Sequence, residues 1–197
     1  PELAALVPDG VAAPSPVTFL PYLSGERTPL NDPDATGALL GLRRASGLSD
    51  LAQAVMERWR GIDLWAHCAI HAAPLSPAGH IDAGDFQKSV DLNILTTRGL
   101  INLFEPLLRA RQGTALFLDD PRAGQKFFGS YGATKAGQIA LARSWQAENA
   151  QIGPRVVIAE PAPMPTATRA RFFPGEDRAK LAPCRDEAER ILAELLD

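Results

Sequence analysis

Three short apolar segments, separated by long stretches with helical spacing, constrain the fold of this chain more than any other feature. They lie at 62–69 (Ile-Asp-Leu-Trp-Ala-His-Cys-Ala), 114–118 (Thr-Ala-Leu-Phe-Leu) and 156–159 (Val-Val-Ile-Ala). Apolar runs of this length suit strands that are buried on both faces of a sheet. Strands that alternate with helices predict a parallel sheet with right-handed crossovers. We therefore predict an α/β fold: a parallel sheet with flanking helices.

Two long helices are predicted between these strands, over Asp82–Gln112 and Ser130–Ala150. Apolar residues recur at helical spacing in the first of them, and Gly113 and Gly153 separate each helix from the strand that follows it. Asn93 lies inside the first helix, although asparagine is a mediocre helix former. These two helices are the largest elements that flank the predicted sheet.

The ends of the chain have a different character. Before residue 49, proline and glycine are frequent, and the apolar residues show little sustained periodicity. We therefore predict a loop-rich segment with a short strand at Val17–Leu20. Ser49 or Asp50 is predicted to cap a helix that ends near Arg60–Gly61. The final helix is predicted over Asp186–Leu196, with one apolar face formed by Ala188, Ile191, Leu192 and Leu195.

Composition excludes several classes of protein. The chain has 197 residues, a net charge of −3 and no apolar run near the ~20 residues that span a membrane. The N-terminus shows no basic-then-apolar secretion signal. The charge argues against nucleic-acid binding, and two cysteines are too few for a disulfide framework. We therefore expect a cytoplasmic protein with a small-molecule substrate, bound to neither nucleic acid nor a membrane.

Two clusters of metal-ligating residue types are interpreted as structural. His67, Cys68 and His71 include adjacent strand positions, whose side chains point to opposite faces, whereas a zinc site needs three or four converging ligands. Asp119 and Asp120 can either bind a divalent cation or be solvated loop carboxylates, and the second interpretation is favoured. We predict no metal site.

Tyr131 and Lys135 form the pair with the clearest chemical use. They are four residues apart at the start of a helix, so both side chains project from one face. A tyrosine has an ordinary pKa near 10, and a neighbouring ammonium favours the phenolate and lowers that pKa. Such a tyrosine is suited to general acid or base chemistry. Taken alone, the pair also fits a partly buried tyrosine beside a surface lysine.

The surroundings of the pair strengthen the chemical interpretation. Small residues flank Tyr131 in the run 129–136 (Gly-Ser-Tyr-Gly-Ala-Thr-Lys-Ala), where a helix can pack closely against a flat ligand. The third strand runs into the proline-rich segment Glu160–Thr166. Ligands of parallel sheets bind at such turns, beyond the carboxyl ends of the strands.

Four landmarks, in this order and spacing, resemble the short-chain dehydrogenase/reductase family from about Asp50 or Trp59 to the end of the chain. They are Asp63–Ile70, Asn93, the Tyr131–Lys135 pair, and Pro161 with Thr166. The family has an Asn-Asn-Ala-Gly strand and turn, a helix asparagine, the catalytic pair, and a Pro-Gly turn with its following threonine at these places. The resemblance implies an oxidoreductase that uses NAD or NADP and acts on a carbonyl or hydroxyl group.

The resemblance also implies roles for individual residues. Tyr131 would exchange a proton with the substrate oxygen, Lys135 would hold the ribose and lower the tyrosine pKa, and Asn93 would anchor a water of the proton relay. The cofactor would be contacted by Ala69, Lys135, Pro161, Ala162, Met164 and Thr166. The segment Arg169–Phe173 falls where the family has a mobile substrate lid, although it can also simply pack on the sheet.

The family further implies a homo-oligomer built through the two long helices. Trp145 and Phe104 would be plausible anchors of that interface, or else part of the internal core.

The chain departs from the family pattern at several places. The serine expected about a dozen residues before Tyr131 is absent from Leu118–Pro121 (Leu-Asp-Asp-Pro), and an ionised aspartate repels a developing oxyanion. The turn His67–Ile70 replaces Asn-Asn-Ala-Gly, Ala162 replaces the turn glycine, and no Gly-x-x-x-Gly-x-Gly cradle precedes the first strand. These departures predict an atypical or impaired enzyme on an incomplete Rossmann fold. The alternative is a non-catalytic dimerising or scaffold domain.

The first part of the chain resembles a different family. Phe19–Pro29 (Phe-Leu-Pro-Tyr-Leu-Ser-Gly-Glu-Arg-Thr-Pro), followed by Asp32–Ala35 and Gly41–Leu42, is similar to the xylulokinases among the FGGY carbohydrate kinases, which often have histidine where Leu30 stands. We predict a xylulokinase-like fragment over residues 1–48 and a dehydrogenase-like domain over 49–197, a chimeric sequence. The fragment lacks the catalytic parts of a kinase, so a carbohydrate kinase fragment is the further alternative for function. A gene fusion, an engineered chimera or an assembly of fragments would each give this join.

Overall fold

The computed structural model describes residues 18–20, 38–40 and 48–196. In the N-terminal part, strands β1 (Thr18–Leu20) and β2 (Ala38–Leu40) pair antiparallel, with Thr18 opposite Leu40. The strand predicted at 17–20 is thereby confirmed, and β2 was not predicted. Most of the segment predicted to be loop-rich lies outside the described residues.

Residues 48–196 form a three-layered α/β unit. Strands β3 (Leu64–His67), β4 (Thr114–Leu118) and β5 (Arg155–Ala159) form a parallel sheet in the order β3-β4-β5. The helices are α1 (Leu48–Trp59), α2 (Ala83–Val90), α3 (Thr96–Arg111), α4 (Gly129–Glu148), α5 (Ala167–Phe172) and α6 (Cys184–Leu196). The predicted parallel sheet with flanking helices is confirmed.

The predicted end of α1 is correct and its predicted start is wrong. The helix begins at Leu48, so Ser49 and Asp50 lie inside it and do not cap it. It stops because Arg60 and Gly61 take positive φ angles of 62° and 144°. A Cβ atom on Gly61 would lie 2.6 Å from the carbonyl oxygen of Leu107, so only glycine fits against α3 here.

One face of the sheet carries the main core. Trp65 of β3, Phe117 of β4 and Val156 of β5 pack there against residues of α3 and α4. Trp145 of α4 is buried among them, with its ring centroid 6.2 Å from that of Trp65, and Phe104 packs 4.7 Å from Trp65 at the partly buried margin. Trp145 is therefore an internal core residue.

The opposite face of the sheet is covered by α6 over β4 and β5. Ile191 and Leu195 of α6 pack there against Leu116 and Val157. Glu187, and not Ala188 or Leu192, completes the buried side of the helix, so the predicted apolar face is only half correct. This side of the helix is buried where Glu187 accepts a hydrogen bond from the main-chain N–H of Ala162, in the segment that follows β5.

Strand β3 does not fit the prediction of burial on both faces. Trp65 and His67 are buried, whereas Leu64 and Ala66 are exposed. The difference has a simple cause: within the described residues, α6 covers this side of β4 and β5 and does not reach β3. No helix among the described residues is long and apolar enough to cross a lipid bilayer.

Candidate functional site

A cavity of about 310 Å³ lies beyond the carboxyl ends of the three parallel strands. Its walls come from the residues that follow β3, β4 and β5, together with the start of α4 and the short helix α5. Tyr131 and Lys135 both line it, as the sequence predicted for a ligand site at this edge. The volume lies at the lower end of the range for small-molecule sites.

Tyr131 is buried between aromatic rings and bonded to a carboxylate. It is 4% exposed, and its ring centroid lies 4.8 Å from that of Phe172. Its hydroxyl donates to Oδ2 of Asp120 at 3.0 Å, and Nε of Arg122 donates to Oδ1 of the same carboxylate at 2.8 Å. The guanidinium of Arg122 in turn lies over the rings of Phe128 and Phe173. Arg122, Asp120 and Tyr131 therefore form a chain of hydrogen-bonded groups, and the phenol is at its end.

The electrostatics of Tyr131 are the reverse of the prediction. Burial raises its pKa, the charge of Asp120 and the hydrogen bond to it raise the pKa further, and only Arg122 opposes them appreciably. We predicted that Lys135 would lower this pKa. The difference arises because a carboxylate is the group that contacts the phenol oxygen.

The hydrogen-bond partner of Lys135 is not the phenol but Gln138, a buried residue of the same helix. The side chain is 6% exposed, and Nζ donates to Oε1 of Gln138 at 2.7 Å. Burial lowers the pKa of Lys135 to about 8, against the opposing charges of Asp119 and Asp120. Part of the amine population is thus neutral at mildly alkaline pH.

Gln138 links this amine to a buried polar network. With Oε1 accepting from Lys135, the Gln138 amide nitrogen lies 3.0 Å from Oγ1 of Thr97 and 3.1 Å from Nε2 of His67. Thr97 in turn donates to the main-chain oxygen of Asn93. Burial, and next the charge of Lys135, lower the pKa of His67 to about 4. His67 is therefore neutral at pH 7, and its Nε2 lies within hydrogen-bond distance of both the Gln138 amide nitrogen and Thr97 Oγ1. Sequence reasoning missed Gln138 and Thr97, for which no motif gave a signal.

Asn93 lies in a π-helical turn, Asp91–Leu95, that interrupts the long helix predicted over Asp82–Gln112. Such turns are frequent at functional sites. The side-chain amide of Asn93 donates to the His71 carbonyl oxygen and to Thr134 Oγ1, both at 3.0 Å, and Oδ1 accepts from the His71 amide at 2.6 Å. Asn93 thus clamps the segment after β3 to α4. It does not line the cavity.

The segment after β5 forms another wall of the cavity. Of the residues for which the resemblance implies cofactor contacts, Pro161, Ala162, Met164 and Thr166 line the cavity, whereas Ala69 does not. The main-chain N–H of Ala162 donates to Glu187 of α6 at 2.8 Å. Hydrogen bonds from Arg190 and from this N–H lower the pKa of Glu187 to about 2. Glu187, which orders this turn, was not identified from the sequence.

The predicted lid segment packs over the tyrosine. Phe172 of α5 is buried against Tyr131 and Phe128, and the guanidinium of Arg171 donates to the Ala72 carbonyl oxygen at 2.6 Å. Arg169 forms an ion pair with Glu176. Both arginines are therefore held by protein groups at the rim of the cavity. The described residues hold no group of three or more His, Cys, Asp or Glu side chains placed to bind a metal ion.

The parallel sheet with helices on both faces defines a Rossmann-like domain, and its candidate site, beyond the carboxyl edge of the sheet, is lined by Tyr131 and Lys135 of α4. The chain belongs to the short-chain dehydrogenase/reductase family, because the family profile described as enoyl-(acyl carrier protein) reductase matches residues 40–188. A second profile, the C-terminal domain of the FGGY family of carbohydrate kinases, matches residues 2–58. Both resemblances are thereby confirmed.

Solved structures show the same fold. An oxidoreductase, yciK, from Escherichia coli superposes with a TM-score of 0.64 at 26% identity, covering 70% of this chain and 57% of that one. A protein described as a short chain dehydrogenase from E. coli CFT073, in complex with NADPH, superposes with a TM-score of 0.64 at 26% identity. This match covers 70% of this chain and 58% of that one. The chain therefore spans little more than half the length of these relatives.

The N-terminal segment is similar to curated sugar kinases. Xylulose kinase from Klebsiella pneumoniae is 40% identical over 84 residues, which cover 40% of this chain and 17% of the kinase. Xylulose kinase from E. coli K12 is 49% identical over 57 residues, which cover 29% of this chain and 12% of the kinase. The chain spans less than a fifth of either kinase.

Proposed function

We propose that this chain is an NAD- or NADP-dependent oxidoreductase that acts on the carbonyl or hydroxyl group of a small molecule. The observation that carries the proposal is the meeting of Tyr131, Lys135 and the turn after β5 around one cavity at the carboxyl edge of the sheet. The fold family and the NADPH complex of one structural relative support a nicotinamide cofactor.

The residues around the cavity fit the nicotinamide–ribose part of such a cofactor. Lys135 gives one of its three N–H donors to Gln138, and among the described residues the other two have no partner, so they are available to a ribose diol. Pro161 and Met164 offer apolar wall to a flat ring. The N–H of Ala162 is used by Glu187 and is not available as a donor. The bound nicotinamide would supply or accept a hydride.

The protein's contribution to the chemistry is proton transfer at Tyr131. The phenol of Tyr131 is protonated at neutral pH and has a single O–H, which Asp120 accepts in the protein without ligand. It can donate that proton to a substrate oxygen once the hydroxyl turns from Asp120 towards the substrate. Asn93, whose amide is used by His71 and Thr134, positions α4.

Titration with NADH and NADPH, followed by nucleotide fluorescence, tests cofactor binding. We expect saturable binding of at least one nucleotide. Lys135→Met should weaken it, because the ribose loses its donors, while the exposed Lys88→Met serves as the matched control. Since the pKa of Lys135 is about 8, affinity should fall as the pH rises through that value. Absence of saturable binding of both nucleotides would remove the enzymatic interpretation.

Tyr131→Phe is expected to retain nucleotide binding and to lower carbonyl reduction by about 10²–10⁴-fold, the usual contribution of a positioned acid. The variant removes only the hydroxyl and keeps the ring that packs on Phe172. The rate is measured from nucleotide oxidation with a panel of small ketones and aldehydes. Equal rates for the two proteins would show that the phenol is not the proton donor.

We also propose that the long helices form a homo-oligomeric interface. Large apolar side chains are 40–50% exposed at Phe86, Leu92 and Leu95, on α2 and the π-helical turn. Ala133, Ala136 and Ala140 form an exposed line of small residues on α4. A second copy of the chain, with the same surfaces, is the occupant that would cover both.

Light scattering after gel filtration tests this interface. Ala136→Arg is expected to convert a dimer or tetramer into a smaller species, because an arginine cannot fit where two helices meet closely. Ala179→Arg places the same side chain at an exposed alanine outside these helices and should leave the mass unchanged. A wild-type monomer, or equal masses for wild type and Ala136→Arg, would contradict the proposal.

A non-catalytic dimerising or scaffold domain is the second candidate. The observation that favours it is the Tyr131 hydroxyl, whose proton is already donated to Asp120. This candidate predicts neither nucleotide binding nor loss of turnover in Tyr131→Phe. The experiments above therefore separate the two functions.

A further inference from the structure

Asp120 lies in the stretch Leu118–Pro121, where the family pattern leads one to expect a serine. It follows β4 and lines the cavity beside Tyr131. A serine hydroxyl can both donate and accept, whereas an ionised carboxylate only accepts. With an ionised aspartate in place of a serine, the tyrosine must be the donor of the hydrogen bond between the two side chains. In this structure the phenol is the donor and the carboxylate is the acceptor.

The carboxylate is held in place from both sides. Oδ1 accepts from Arg122 at 2.8 Å and Oδ2 accepts from Tyr131 at 3.0 Å. The guanidinium of Arg122 itself packs over the rings of Phe128 and Phe173, and these contacts help to hold Arg122 and Asp120 in place. Asp120 and Arg122 thus form an ion pair in which both side chains are partly buried.

Lys135 does not compete for the phenol. Its ammonium donates to Gln138, which is 1% exposed and is fixed by Thr97 and His67. The tyrosine and the lysine thus have separate partners, although they share one helix face. The neighbouring carboxylate Asp119 is directed elsewhere: its side chain accepts from the Asp120 amide and lies 3.6 Å from Arg143. Among the described residues, Asp120 is the charged group bonded to the phenol.

We propose that Asp120, held by Arg122, is a positioning residue that accepts the Tyr131 hydrogen bond and so fixes the orientation and the protonated form of the phenol in the protein without ligand. The bearing of this contact on catalysis rests on the proposed oxidoreductase function. The control of the phenol by Asp120 does not, because it is a property of the folded protein without ligand. The two are therefore testable apart.

Ultraviolet titration of tyrosine ionisation tests the proposal. The chain has two tyrosines, Tyr22 and Tyr131, so the Tyr131 signal is the difference between each protein and the same protein carrying Tyr131→Phe. We expect Asp120→Asn to lower the Tyr131 midpoint by about one pH unit or more, which is about tenfold in the ionisation constant. Arg122→Gln should shift it in the opposite direction, because it removes the cation. Far-ultraviolet circular dichroism marks the pH at which the fold is lost, and only ionisation below that pH is counted.

Asp119→Asn is the matched control, since it removes a neighbouring charge without touching the phenol. A smaller shift for Asp119→Asn than for Asp120→Asn supports the proposal, as does ionisation of Tyr131 before unfolding in Asp120→Asn only. Equal shifts for the two aspartates, or ionisation that coincides with unfolding in both wild type and Asp120→Asn, would overturn it. Failure of nucleotide binding would affect the proposed function and leave this result standing.

Discussion

Replacing Trp145 with alanine is expected to lower the free energy of unfolding by about 3–5 kcal/mol, the usual cost of deleting a buried aromatic side chain. Trp145 is 4% exposed and packs against the rings of Trp65 and Phe117 at the centre of the sheet's main core. Truncation would leave a cavity between α4 and the sheet. We expect this cavity to stay open, because the packing of α3 and α4 on the sheet fixes the distance between them. Urea unfolding followed by circular dichroism measures the loss.

Trp145→Phe is the informative comparison. It keeps an aromatic ring and removes the indole N–H, which is buried and has no hydrogen-bond partner among residues 48–196 and the other described residues. An unpartnered buried donor is costly, so its removal offsets part of the lost packing. We expect a much smaller destabilisation than for alanine. If Trp145→Ala instead left stability unchanged and altered only the oligomeric mass, Trp145 would be an interface residue after all.

Acidification is expected to destabilise the fold through His67. Its pKa is about 4 in the folded protein and 6.5 in the unfolded chain, so between these values the unfolded state binds more protons. The contribution is present in full above pH 6.5 and is lost as the pH falls towards 4. A shift of this size corresponds to about 3 kcal/mol. The neutral imidazole is favoured because the ring is buried and lies near the Lys135 ammonium.

The measurement is the free energy of unfolding between pH 7 and pH 4.5, for wild type and for His67→Gln. The glutamine can still accept from Gln138 and does not titrate. The titration of carboxylates is common to both proteins and cancels in the difference. We expect the wild type to lose more stability than the variant over this interval. Parallel curves would show that His67 is protonated without cost in the folded state.

The elements of the fold were predictable because each depends on its own sequence. The segment 114–118 is β4 to the residue, and the long helix predicted over Ser130–Ala150 is α4, since apolar runs and glycine stops act locally. Burial of β3 was not predictable in the same way. Whether Leu64 and Ala66 are covered depends on where α6 packs, which the strand's own sequence does not encode.

In the candidate site, too, the features that depend on local sequence were predictable and those that depend on distant segments were not. Tyr131 and Lys135 share a cavity because their spacing places them on one helix face. Their partners follow from the path of other segments: Asp120 from the loop after β4, and Gln138 with His67 from the packing of α4 on β3. The expectation that the lysine tunes the tyrosine was wrong about the sign of the pKa shift, because spacing along a helix does not say which charge is nearest.

The bond from the Ala162 amide to Glu187 joins the floor of the cavity to the last helix. Arg155, at the start of β5, also donates to the Leu195 carbonyl oxygen near the end of that helix. The first part of α6 is therefore attached to the turn that lines the cavity, and its last turn is attached to the start of β5. Local opening of α6 and loosening of the turn at 160–164 would be one cooperative event, so ligand occupancy and protection of the C-terminal amides from hydrogen exchange should rise together.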